Sequence, residues 1–590
     1  MRKTKIICTL GPAVDDEAML KNLINEGMDV ARLNFSHGNH AEHTQRLKLI
    51  KKVRKEMNRP IALMLDTKGP EIRLGNLENG VAELKVDDRF TFTTEDCLGN
   101  NERASISYKA LPTVISRGNR ILIDDGLVEL KVLDFNETEV ICQVMNSGVI
   151  KDKKSVNVPG VKMDMPYLSP KDIDDILFAA KNDFDFVAAS FTRSAADIID
   201  IRKLLEDNGG HDIEIIAKIE NSEGVDNIDE ILMASDGLMV ARGDMGVEID
   251  YNELPRIQKL LIKKAQLHGK KSITATQMLD SMIVKPRPTR AEISDIANAI
   301  YDGTSAIMLS GETSIGKYPI ESVRTMARIA ESSEKAVPYK RLFSIMDVEP
   351  SSNVTNAISH ATCTTAHDLD ASAIVTVTKT GSTARMISKY RPECPIVGCT
   401  TSEKVYRQLA MSWGVIPVLF EEKSSSDELF EHAVDKAVES GVVKCGDLVV
   451  LTAGLPLGIP GMTNILKVHV VGNILAQGKG VTQKSATGAL CVCKSEEEAL
   501  KTFNGGEILV IPETSNRLMS LLRRAKGIIT EKGDLSSHAA IVGLSLDIPV
   551  IVHSEHATEV LRSGTTVTMD AGAGLVLSSL NQTTACPLPE

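Results

Sequence analysis

The sequence predicts an α/β protein whose largest part is a parallel (β/α)8 barrel. Short, nearly continuous apolar segments alternate with amphipathic helical stretches over the first 313 residues, a pattern typical of a parallel sheet covered by helices. Eight such segments occur, which is the number that a closed barrel of this class requires. They are KIICTLG (5–11), DVARLNFS (29–36), IALMLDT (61–67), FDFVAASF (184–191), IEIIAKIE (213–220), GLMVARGD (237–244), KSITATQM (271–278) and AIMLSGET (306–313).

An insertion is expected between the third and fourth strands, because more than a hundred residues separate them. Within it, GVAELKVDDRFTFTT and NRILIDDGLVELKVLDFNETEVICQVM alternate apolar and polar residues, and Asp125 with Gly126 is typical of a hairpin turn. The insertion is therefore predicted to be a small antiparallel β-barrel domain that forms a lid over the carboxyl face of the main barrel.

Two further domains are predicted after the barrel. SAIVTVTKTGSTARMISKYRPECPIVGCT (372–400) is a strand, a Gly/Ser/Thr loop and a helix, and the polar QGKGVTQKSATG (477–488) is typical of a linker. The predicted boundaries are 1–69 with 168–344 for the barrel, 70–167 for the lid, 345–476 for a third, α/β domain, 477–488 for the linker and 489–590 for the C-terminal domain.

Composition argues for a soluble cytoplasmic protein. The chain carries a net charge of -12, which argues against nucleic-acid binding, since that normally needs a basic excess. Apolar runs long enough to span a membrane and a signal peptide are not evident in the 590 residues. The ten cysteines form no C-x-x-C pair, so we expect reduced thiols.

Polar side chains occur where nearly every predicted barrel strand ends, and in this fold those ends form the active face. A lone Asp66, Arg242 or Thr276 could have a purely structural role as a helix cap, a strand buttress or a partner for backbone groups. The repetition in register favours a functional site. The residues are Arg32, Asn34, Ser36, Asp66, Thr67, Lys218, Glu220, Arg242, Asp244, Thr276, Ser310 and Glu312.

Lys218 and Glu220 are two residues apart, so they share one face of their strand. Direct pairing at that spacing is predicted to be awkward, and burial of both charges is costly, which favours two groups facing one site. Carboxylates at 220 and 244 are ligands of the kind that Mg²⁺ takes, and Arg32 with Lys218 can hold an anion. These residues alone predict Mg²⁺-dependent chemistry on a small phosphorylated or carboxylated substrate.

The motifs in their order along the chain resemble the pyruvate kinase family over about residues 1–475. They are ARLNFSHG (31–38), LDTKGPEIR (65–73), AKIEN (217–221), VARGDMGVEI (240–249), ATQMLDSM (275–282), PTRAE (288–292) and MLSGET (308–313). The resemblance implies a homotetramer that transfers the phosphoryl group of phosphoenolpyruvate to ADP, giving pyruvate and ATP in the final step of glycolysis.

The same resemblance implies roles for the strand-end residues. Glu220 and Asp244 match the ligands of Mg²⁺ or Mn²⁺, and Lys218 matches the cation that stabilises the phosphoryl group in flight. Thr276 matches a threonine associated with protonation of the enolate, and Arg32 matches a phosphate contact. The backbone of Gly243 and Asp244 matches the place where the substrate carboxylate docks.

Further positions match the nucleotide and monovalent-cation sites of the family. Asn34, His37, Arg73 and Lys154 match nucleotide contacts, while Asn34, Ser36, Asp66 and Thr67 match a K⁺ site. Glu71 is the form that accompanies potassium dependence, since family members with lysine there supply their own positive charge. The resemblance therefore implies K⁺ as a second cofactor.

The predicted α/β domain resembles the effector domain of the family. TKTGSTAR offers backbone N–H groups and hydroxyls at a helix start, which could bind the phosphate of a small-molecule effector, although an ordinary strand-to-helix turn would look similar. The residues concerned are Thr378, Lys379, Thr380, Gly381, Ser382 and Thr383. The facing segment AGLPLGIPGMTN (453–464) leaves the effector open between sugar phosphates and nucleoside monophosphates.

The segment TEKGDLSSHAAIVGLSLDIPVIV (530–552) resembles the phosphohistidine domain of phosphoenolpyruvate-utilising enzymes, and such an extension occurs in some bacterial pyruvate kinases. His538 occupies the phosphoacceptor position. Asp534 replaces a glycine of that motif and Leu544 replaces an arginine, both of which disfavour a phosphoryl group. A retained structural or assembly domain is therefore favoured over a phosphocarrier.

Three other classes of protein are alternatives to a pyruvate kinase. A metal-dependent aldolase would also use Glu220, Asp244 and an arginine, but it would not need Lys218 or the lid. A phosphotransferase centred on His538 would require a nucleotide-grasp domain that the sequence does not reveal. A non-catalytic regulatory relic is disfavoured, because every matched position keeps a chemically competent residue.

Overall fold

The computed structural model describes residues 1–346, 353–421, 425–444, 446–454, 463–472 and 474–578. The chain divides into two compact units. The first contains Met1–Pro350, Thr380–Arg391 and Ser402–Pro417, and the second contains Ser351–Lys379, Pro392–Thr401 and Val418–Glu590.

The first unit contains a closed barrel of eight parallel strands, as the sequence predicts. Each strand pairs with its neighbours in chain order, and Asp66 lies opposite both Asn34 and Ala188. Every strand is shorter than the segment predicted for it, because most of the polar residues at the end of that segment lie beyond the last residue paired in the sheet. The strands are Lys5–Thr9, Val30–Asn34, Ala62–Asp66, Phe186–Ala189, Glu214–Ile219, Gly237–Ala241, Lys271–Ala275 and Ala306–Leu309.

Helices pack around the barrel between successive strands. Several begin at side-chain caps, as at Asp16 and Asn39, and Ser169 and Thr289 form capping boxes, which satisfy the free N–H groups of the first turn. The longer helices are Glu17–Glu26, His40–Glu56, Pro170–Lys181, Ala195–Asp207, Ile228–Ala234, Leu254–Leu267, Arg290–Tyr301 and Pro319–Glu334.

Two layers of apolar side chains hold the barrel together. Inward-facing residues such as Met64, Phe186, Ile216 and Met239 fill its interior, and outward-facing strand residues pack against the helices in a separate, larger core. The interior is therefore a packed core and leaves the strand ends for chemistry.

The insertion folds as a β domain with its own core. The sequence predicts one antiparallel β-barrel, whereas the strands form a seven-stranded sheet and a two-stranded sheet. One pair in the larger sheet is parallel, because Arg103–Ser105 runs alongside Arg89–Thr93 in the same direction. The larger sheet has the order Ile72–Arg73, Ser155–Asn157, Arg120–Ile123, Val128–Phe135, Glu139–Val144, Arg89–Thr93 and Arg103–Ser105, and the smaller pairs Gly148–Lys151 with Val81–Leu84.

The predicted hairpin at Asp125 and Gly126 is present. It joins strands Arg120–Ile123 and Val128–Phe135, and Asp124, Asp125 and Gly126 all have positive φ. This is the backbone that the Asp-Gly signal favours.

The second unit contains two sheets. One includes Ile396–Thr400, Ala373–Val377, Leu448–Ala453 and Ile465–Val470 in that order, with helices Val354–Asp368 and Ser426–Glu439. The chain crosses between the units within the strand Val415–Leu419 and again around the helices Ser382–Lys389 and Glu403–Leu409.

The other sheet has eight strands and forms the C-terminal region. Its order is Ile474–Gln477, Leu575–Ser578, Thr566–Asp570, Ser485–Val492, Ile508–Ile511, Gly527–Thr530, Val550–Val552 and Lys479–Gly480, and its helices include Glu496–Thr502 and His538–Leu546. The prediction of a linker over 477–488 is wrong in structural terms, because three of these strands enter that segment. Its polar and glycine-containing composition is compatible with Ile474–Gln477 and Lys479–Gly480, which are the two edge strands of the sheet and can face solvent.

The described residues include no helix that is long and apolar enough to cross a membrane.

Candidate active site

A buried cluster of charges lies at the carboxyl ends of neighbouring barrel strands. Asp66 Oδ2 accepts a hydrogen bond of 2.6 Å from Nε of Arg32, and Asp66 Oδ1 lies 3.1 Å from Nζ of Lys218. Arg32 also donates to the hydroxyl of Thr9 at 2.8 Å. Two cations therefore share one buried carboxylate.

Burial and mutual attraction act against each other on this cluster. Burial opposes the charge of Asp66, but Arg32 and Lys218 outweigh it and lower the pKa of Asp66. Burial likewise opposes the charge of Lys218, but Asp66 and Glu220 outweigh it and raise the pKa of the lysine. Lys218 is thus held as a cation in a place where water cannot screen it.

Lys218 and Glu220 do pair directly, which corrects the expectation that their spacing makes pairing awkward. Nζ of Lys218 lies 3.0 Å from Oε1 of Glu220. The strand ends at Ile219, so Glu220 is free of the ladder and the long lysine side chain can reach it. The pair still faces the common site, because Lys218 contacts Asp66 at the same time.

Glu220 is fully buried and incompletely satisfied. Its Oε2 accepts the backbone N–H of Phe191 at 2.5 Å, whereas Oε1 accepts no hydrogen bond within the described residues apart from its ion pair with Lys218. Burial raises the pKa of Glu220 to about 8; Lys218 opposes this rise and Asp244 adds to it. A further cation near Oε1 would remove the cost of ionising this carboxyl group.

Ser190 is a site residue that the sequence reasoning did not identify. Its Oγ accepts a hydrogen bond of 2.6 Å from Lys218 and lies 2.7 Å from the carbonyl oxygen of Thr67. Ser190 directly follows the strand Phe186–Ala189, so it carries the same strand-end signal as the other candidates. A polar residue after an apolar strand segment is visible in FDFVAASF.

Thr276 follows the strand Lys271–Ala275 in a left-handed conformation with φ of 66°, and Gln277 follows with φ of 53°. Such backbone is costly for a β-branched residue and has to be held in place by its surroundings. Arg242 holds it by donating to the carbonyl oxygens of Thr276 and Gln277 at 2.7 and 3.3 Å. Asp295 orients Arg242 through contacts of 2.6 and 2.8 Å.

The hydroxyl of Thr276 lies beside the start of the helix Arg242–Glu248. Oγ1 accepts the backbone N–H of Gly243 at 2.8 Å and donates to the carbonyl oxygen of Ala275 at 2.6 Å. Gly243 and Asp244 lie in the first turn of the helix Arg242–Glu248. The structure thus brings Thr276 and Gly243 into direct contact.

Two carboxylates are available for a divalent cation at this face. Glu220 is buried and Asp244 is half-buried, and Asp244 adds to the rise in the pKa of Glu220. Within the described part of the chain, His, Cys, Asp and Glu do not cluster in threes as a protein-only metal site would require. Mg²⁺ is commonly bound by one or two protein carboxylates, with water and substrate oxygens as its other ligands, and this pair fits that coordination.

The residues matched to a monovalent-cation site lie on two adjacent strands. Asn34 lies opposite Asp66 in the ladder, and its Oδ1 accepts the N–H of Ser36 at 3.1 Å. Thr67 is buried and its Oγ1 accepts the N–H of Ser190 at 3.1 Å. These neighbours present the hard oxygen atoms that alkali cations prefer.

The candidate nucleotide residues fall in two places. Arg73 and Lys154 lie on or beside paired lid strands, since Arg73 pairs with Ser155. Arg73 donates to Glu71 at 2.7 and 2.9 Å, and Lys154 donates to Asp124 at 2.7 Å.

His37 is exposed in the loop after the strand Val30–Asn34. The described contacts do not link it to the lid residues.

Two strand-end candidates have structural roles. Glu312 is buried and accepts the backbone N–H groups of Leu279 and Ser310 at 3.0 and 2.7 Å. Burial raises its pKa. Glu312 therefore ties two loops together, and Ser310 serves as its backbone partner.

The proposed effector segment has the predicted local structure. The strand ends at Val377 and the helix begins at Ser382. Gly381 has φ of 77°, a conformation that glycine adopts without strain, and Thr380 Oγ1 accepts the N–H of Ser382 at 3.4 Å. The facing segment falls largely outside the described residues, which omit 455–462.

His538 begins the helix His538–Leu546. Its Nδ1 lies 2.9 Å from the hydroxyl of Thr514, and its Nε2 lies 3.1 Å from Oδ1 of Asn516. Asp534 binds the hydroxyl and N–H of Ser536. Both ring nitrogens of His538 therefore have a partner.

The fold and the buried charges together define a barrel enzyme with cationic and acidic side chains at the carboxyl ends of its strands. Residues 1–323 match the pyruvate kinase barrel domain, residues 356–469 match the pyruvate kinase alpha/beta domain, and residues 503–574 match the mobile domain of PEP-utilising enzymes.

Similar proteins include the pyruvate kinase of Geobacillus stearothermophilus, 51% identical over 98% of both chains. That of Bacillus licheniformis is 50% identical over 98% of this chain and 99% of the relative. The crystal structure of a pyruvate kinase from Cryptosporidium parvum has a TM-score of 0.76 and 40% identity, covering 80% of this chain and 96% of that chain. The chain therefore belongs to the pyruvate kinase family.

Proposed function

We propose that this enzyme transfers the phosphoryl group of phosphoenolpyruvate to ADP and releases pyruvate and ATP, as the final step of glycolysis in the cytoplasm. The observation that carries this proposal is Lys218, a buried lysine held as a cation by Asp66, Ser190 and Glu220 at the barrel face. Phosphoryl transfer depends mainly on positioning and on stabilising the charge of the phosphoryl oxygens.

Arg32 and Lys218 act on the phosphoryl group. With the charge of Glu220 balanced by a bound cation, Asp66 would neutralise only one of Arg32 and Lys218, and the pair would keep a positive charge to offer. Asp66 and Ser190 fix the ammonium group before the substrate arrives, so little reorganisation is needed in the transition state. The lid above the barrel excludes water, which would otherwise compete for the phosphoryl group.

Glu220 and Asp244 would hold Mg²⁺ or Mn²⁺. The fit rests on the buried Oε1 of Glu220, which lacks a hydrogen-bond donor within the described residues, and on an all-oxygen donor pair. The bound ion would neutralise charge that develops on the enolate and phosphoryl oxygens. Without the ion, burial raises the pKa of Glu220 because the ionised carboxylate is costly in the protein interior. A bound cation would offset that cost.

Thr276 and the first turn of the helix Arg242–Glu248 would receive the carboxylate end of the substrate. The N–H of Gly243 and the partial positive charge of a helix start favour an anion there. The Thr276 hydroxyl is poised beside that turn, 2.8 Å from the Gly243 nitrogen. It would pass a proton from water to the enolate carbon, since a hydroxyl with an ordinary pKa is a weak acid by itself.

K⁺ would bind among Asn34, Ser36, Asp66 and Thr67, and Glu71 would make that ion necessary. A glutamate at this position supplies no positive charge, and Glu71 instead pairs with Arg73 at 2.7 Å. The test compares turnover in K⁺ and in Na⁺ at saturating substrate for wild type and Glu71→Lys. Wild type should need K⁺ and the variant should not; equal wild-type rates in both salts would refute the proposal.

The nucleotide would lie between the barrel and the lid. His37 and Asn34 would contact it from the barrel, and Arg73 and Lys154 from the lid, where they lie beside each other. Arg73 and Lys154 are bound to Glu71 and Asp124, and they would exchange those carboxylates for phosphate oxygens.

Regulation, assembly and domain boundaries complete the proposal. The segment 378–383 would bind the phosphate of a small-molecule effector, and the active form would be a homotetramer.

The boundaries proposed are those predicted from the sequence, except that 477–480 and 485–488 belong to the C-terminal sheet. The C-terminal domain would serve structure or assembly, with His538 engaged by Thr514 and Asn516.

Pyruvate release from phosphoenolpyruvate, measured with and without ADP in K⁺ and Mg²⁺, tests the reaction itself. Pyruvate should form only when ADP is present, with one ATP formed for each pyruvate. Pyruvate without ADP, or cleavage of an oxaloacetate-type substrate at a comparable rate, would indicate aldolase chemistry instead. The same assay after replacement of His538 by alanine separates a phosphohistidine route, because only that route would lose ADP-dependent turnover.

A further inference from the structure

A small cavity of about 10 Å³ lies in the first unit, at the end of the barrel opposite the active face. Lys271 begins one barrel strand there, and Ser305 directly precedes another. The lining is unusually basic, with five cationic side chains and no carboxylate. These cations are Lys270, Lys271, Arg385, Lys389 and Arg391.

Arg391 and Lys271 are the two buried cations of this lining. Only 9% of Arg391 is exposed, and its guanidinium donates to neutral oxygens alone, including the carbonyl oxygen of Gly303 at 2.9 Å and Oγ of Ser305 at 3.0 Å. No carboxylate contacts Arg391 in the part of the chain that the structure describes. A buried charge without a counter-charge is expensive.

Two buried donors that line this cavity lack partners within the described residues. They are Nε of Arg391 and the hydroxyl of Ser412. Trp413 lies against the guanidinium, 4.7 Å from ring centroid to Cζ, so an aromatic face covers one side of the cation. An N–H and an O–H therefore remain to bind something that accepts hydrogen bonds.

The neighbouring charges do not supply that acceptor. Glu214 and Asp236 both lie close enough to act on Lys270 and Lys271. The two oxygens of Glu214 are engaged by Lys271 and Arg385. Oδ2 of Asp236 accepts from Arg202 and from the N–H of Ile215. Lys270 donates to the carbonyl oxygen of Ser235 at 2.7 Å. Burial lowers the pKa of Arg391 to about 9, which still leaves the guanidinium charged at neutral pH.

We propose that this cavity binds one small inorganic anion of halide size, such as chloride, between Arg391 and Ser412. The space is close to that of a single water-sized sphere, which favours a halide over a bulkier phosphate or sulfate. A monovalent anion would supply the counter-charge that Arg391 lacks and accept from both free donors at once.

The anion would stabilise a particular joint of the fold. Arg391 follows the helix Ser382–Lys389 and bonds to Gly303 and Ser305 beside the barrel strand Ala306–Leu309. Neutralising Arg391 strengthens the attachment of that helix to the barrel. Because the helix begins at the proposed effector segment, the anion is expected to influence stability at the far end of the same helix.

Bromide in crystals of the full-length protein provides the direct test, since its anomalous scattering distinguishes it from water. A bromide peak within hydrogen-bond distance of Arg391 Nε and Ser412 Oγ is expected. Water alone at that position, or bromide only on the exposed surface, would overturn the proposal. An oxyanion there in sulfate-grown crystals, with no bromide after exchange, would equally overturn it.

Chloride-35 NMR line broadening tests the site in solution at fixed ionic strength, with gluconate as the replacing anion. Ser412→Ala should lose most of the specific broadening, and Arg391→Met should abolish it if that variant folds. Ser359→Ala is the matched control, because its hydroxyl is also buried without a partner in the described residues but does not line the cavity. Equal broadening in wild type and Ser412→Ala would refute the assignment.

Discussion

Replacing Lys218 by methionine removes a buried positive charge that lies 3.1 Å from Asp66 and 3.0 Å from Glu220. Methionine has nearly the same length and no charge, so the packing of the strand end is largely kept. The hydroxyl of Ser190 loses its donor from Lys218 at 2.6 Å. The substitution therefore changes charge much more than shape.

Two effects of this change act in the same direction on the reaction. The phosphoryl oxygens lose a preorganised donor, which typically costs about 3 to 4 kcal/mol. The site also becomes more negative by one charge, which repels an anionic substrate. At about 1.4 kcal/mol for each tenfold change, the lost donor alone lowers kcat/KM by roughly 10²-fold to 10³-fold, and the repulsion lowers it further.

Stability should fall as well, because Asp66 and Glu220 remain buried after their shared cation is lost. Breaking a buried ion pair costs about 3 to 5 kcal/mol when nothing compensates. Arg32 still pairs with Asp66 at 2.6 Å, so the lower end of that range is expected. Chemical denaturation of the variant measures this loss separately from activity.

The assay follows ADP-dependent pyruvate formation in wild type, Lys218→Met and Lys5→Met. Lys5 is the matched control: it is another buried barrel lysine, it begins the strand Lys5–Thr9 at the opposite end, and it donates to the carbonyl oxygen of Val415 at 2.7 Å. Lys5→Met should lose stability but keep kcat within about threefold. A folded Lys218→Met that retains more than a tenth of wild-type kcat would refute the role given to Lys218.

Three further predictions follow from other contacts. Ser190→Ala should lower kcat about tenfold with KM little changed, since the hydrogen bond that orients Lys218 contributes about 1.5 kcal/mol; an unchanged kcat would contradict this. Asp295→Asn should lower kcat/KM about fivefold by loosening Arg242, and Asp295→Glu should restore part of it in the same steady-state assay. Asp236→Asn should cost about 1 to 2 kcal/mol at pH 7 and progressively less as pH falls below the ordinary aspartate pKa, because burial opposes its charge but Arg202 and a backbone N–H lower the pKa of Asp236. The stability gained from that depressed pKa is present above the ordinary aspartate range and is lost as pH falls, which urea titrations at several pH values would detect.

The barrel could be predicted from the sequence because its evidence is local and repeated. Each strand is a short apolar run, and eight of them at regular spacing leave few other architectures. The ends of the C-terminal sheet were harder to predict. The segment 477–488 reads as a linker from its glycines and polar residues, but its short strands are stabilised by partners far along the chain, such as Val552 and Asp570.

The site could be predicted as a set of residue types but not as a set of contacts. Lys218 and Asp66 could be identified because each lies at the carboxyl end of an apolar strand segment, where the alternation of side chains shows which face it takes. Which oxygen each one binds depends on strand twist and side-chain reach, so the direct Lys218–Glu220 pair was not foreseen. Ser190 was missed because a lone serine carries little chemical signal, and its role appears only through its neighbours.

The pairing of Ile72 with Val156 and of Arg73 with Ser155 has a consequence for how the chain folds. Strands Ala62–Asp66 and Phe186–Ala189 are neighbours in the barrel although about 120 residues of chain separate them. Closing so long a loop is slow and costs entropy. Once the inserted domain has folded, its two ends are held side by side, and the loop that remains is roughly threefold shorter. By logarithmic scaling this lowers the closure cost by about 1 kcal/mol, so the insertion that interrupts the barrel in sequence can help to nucleate it in time.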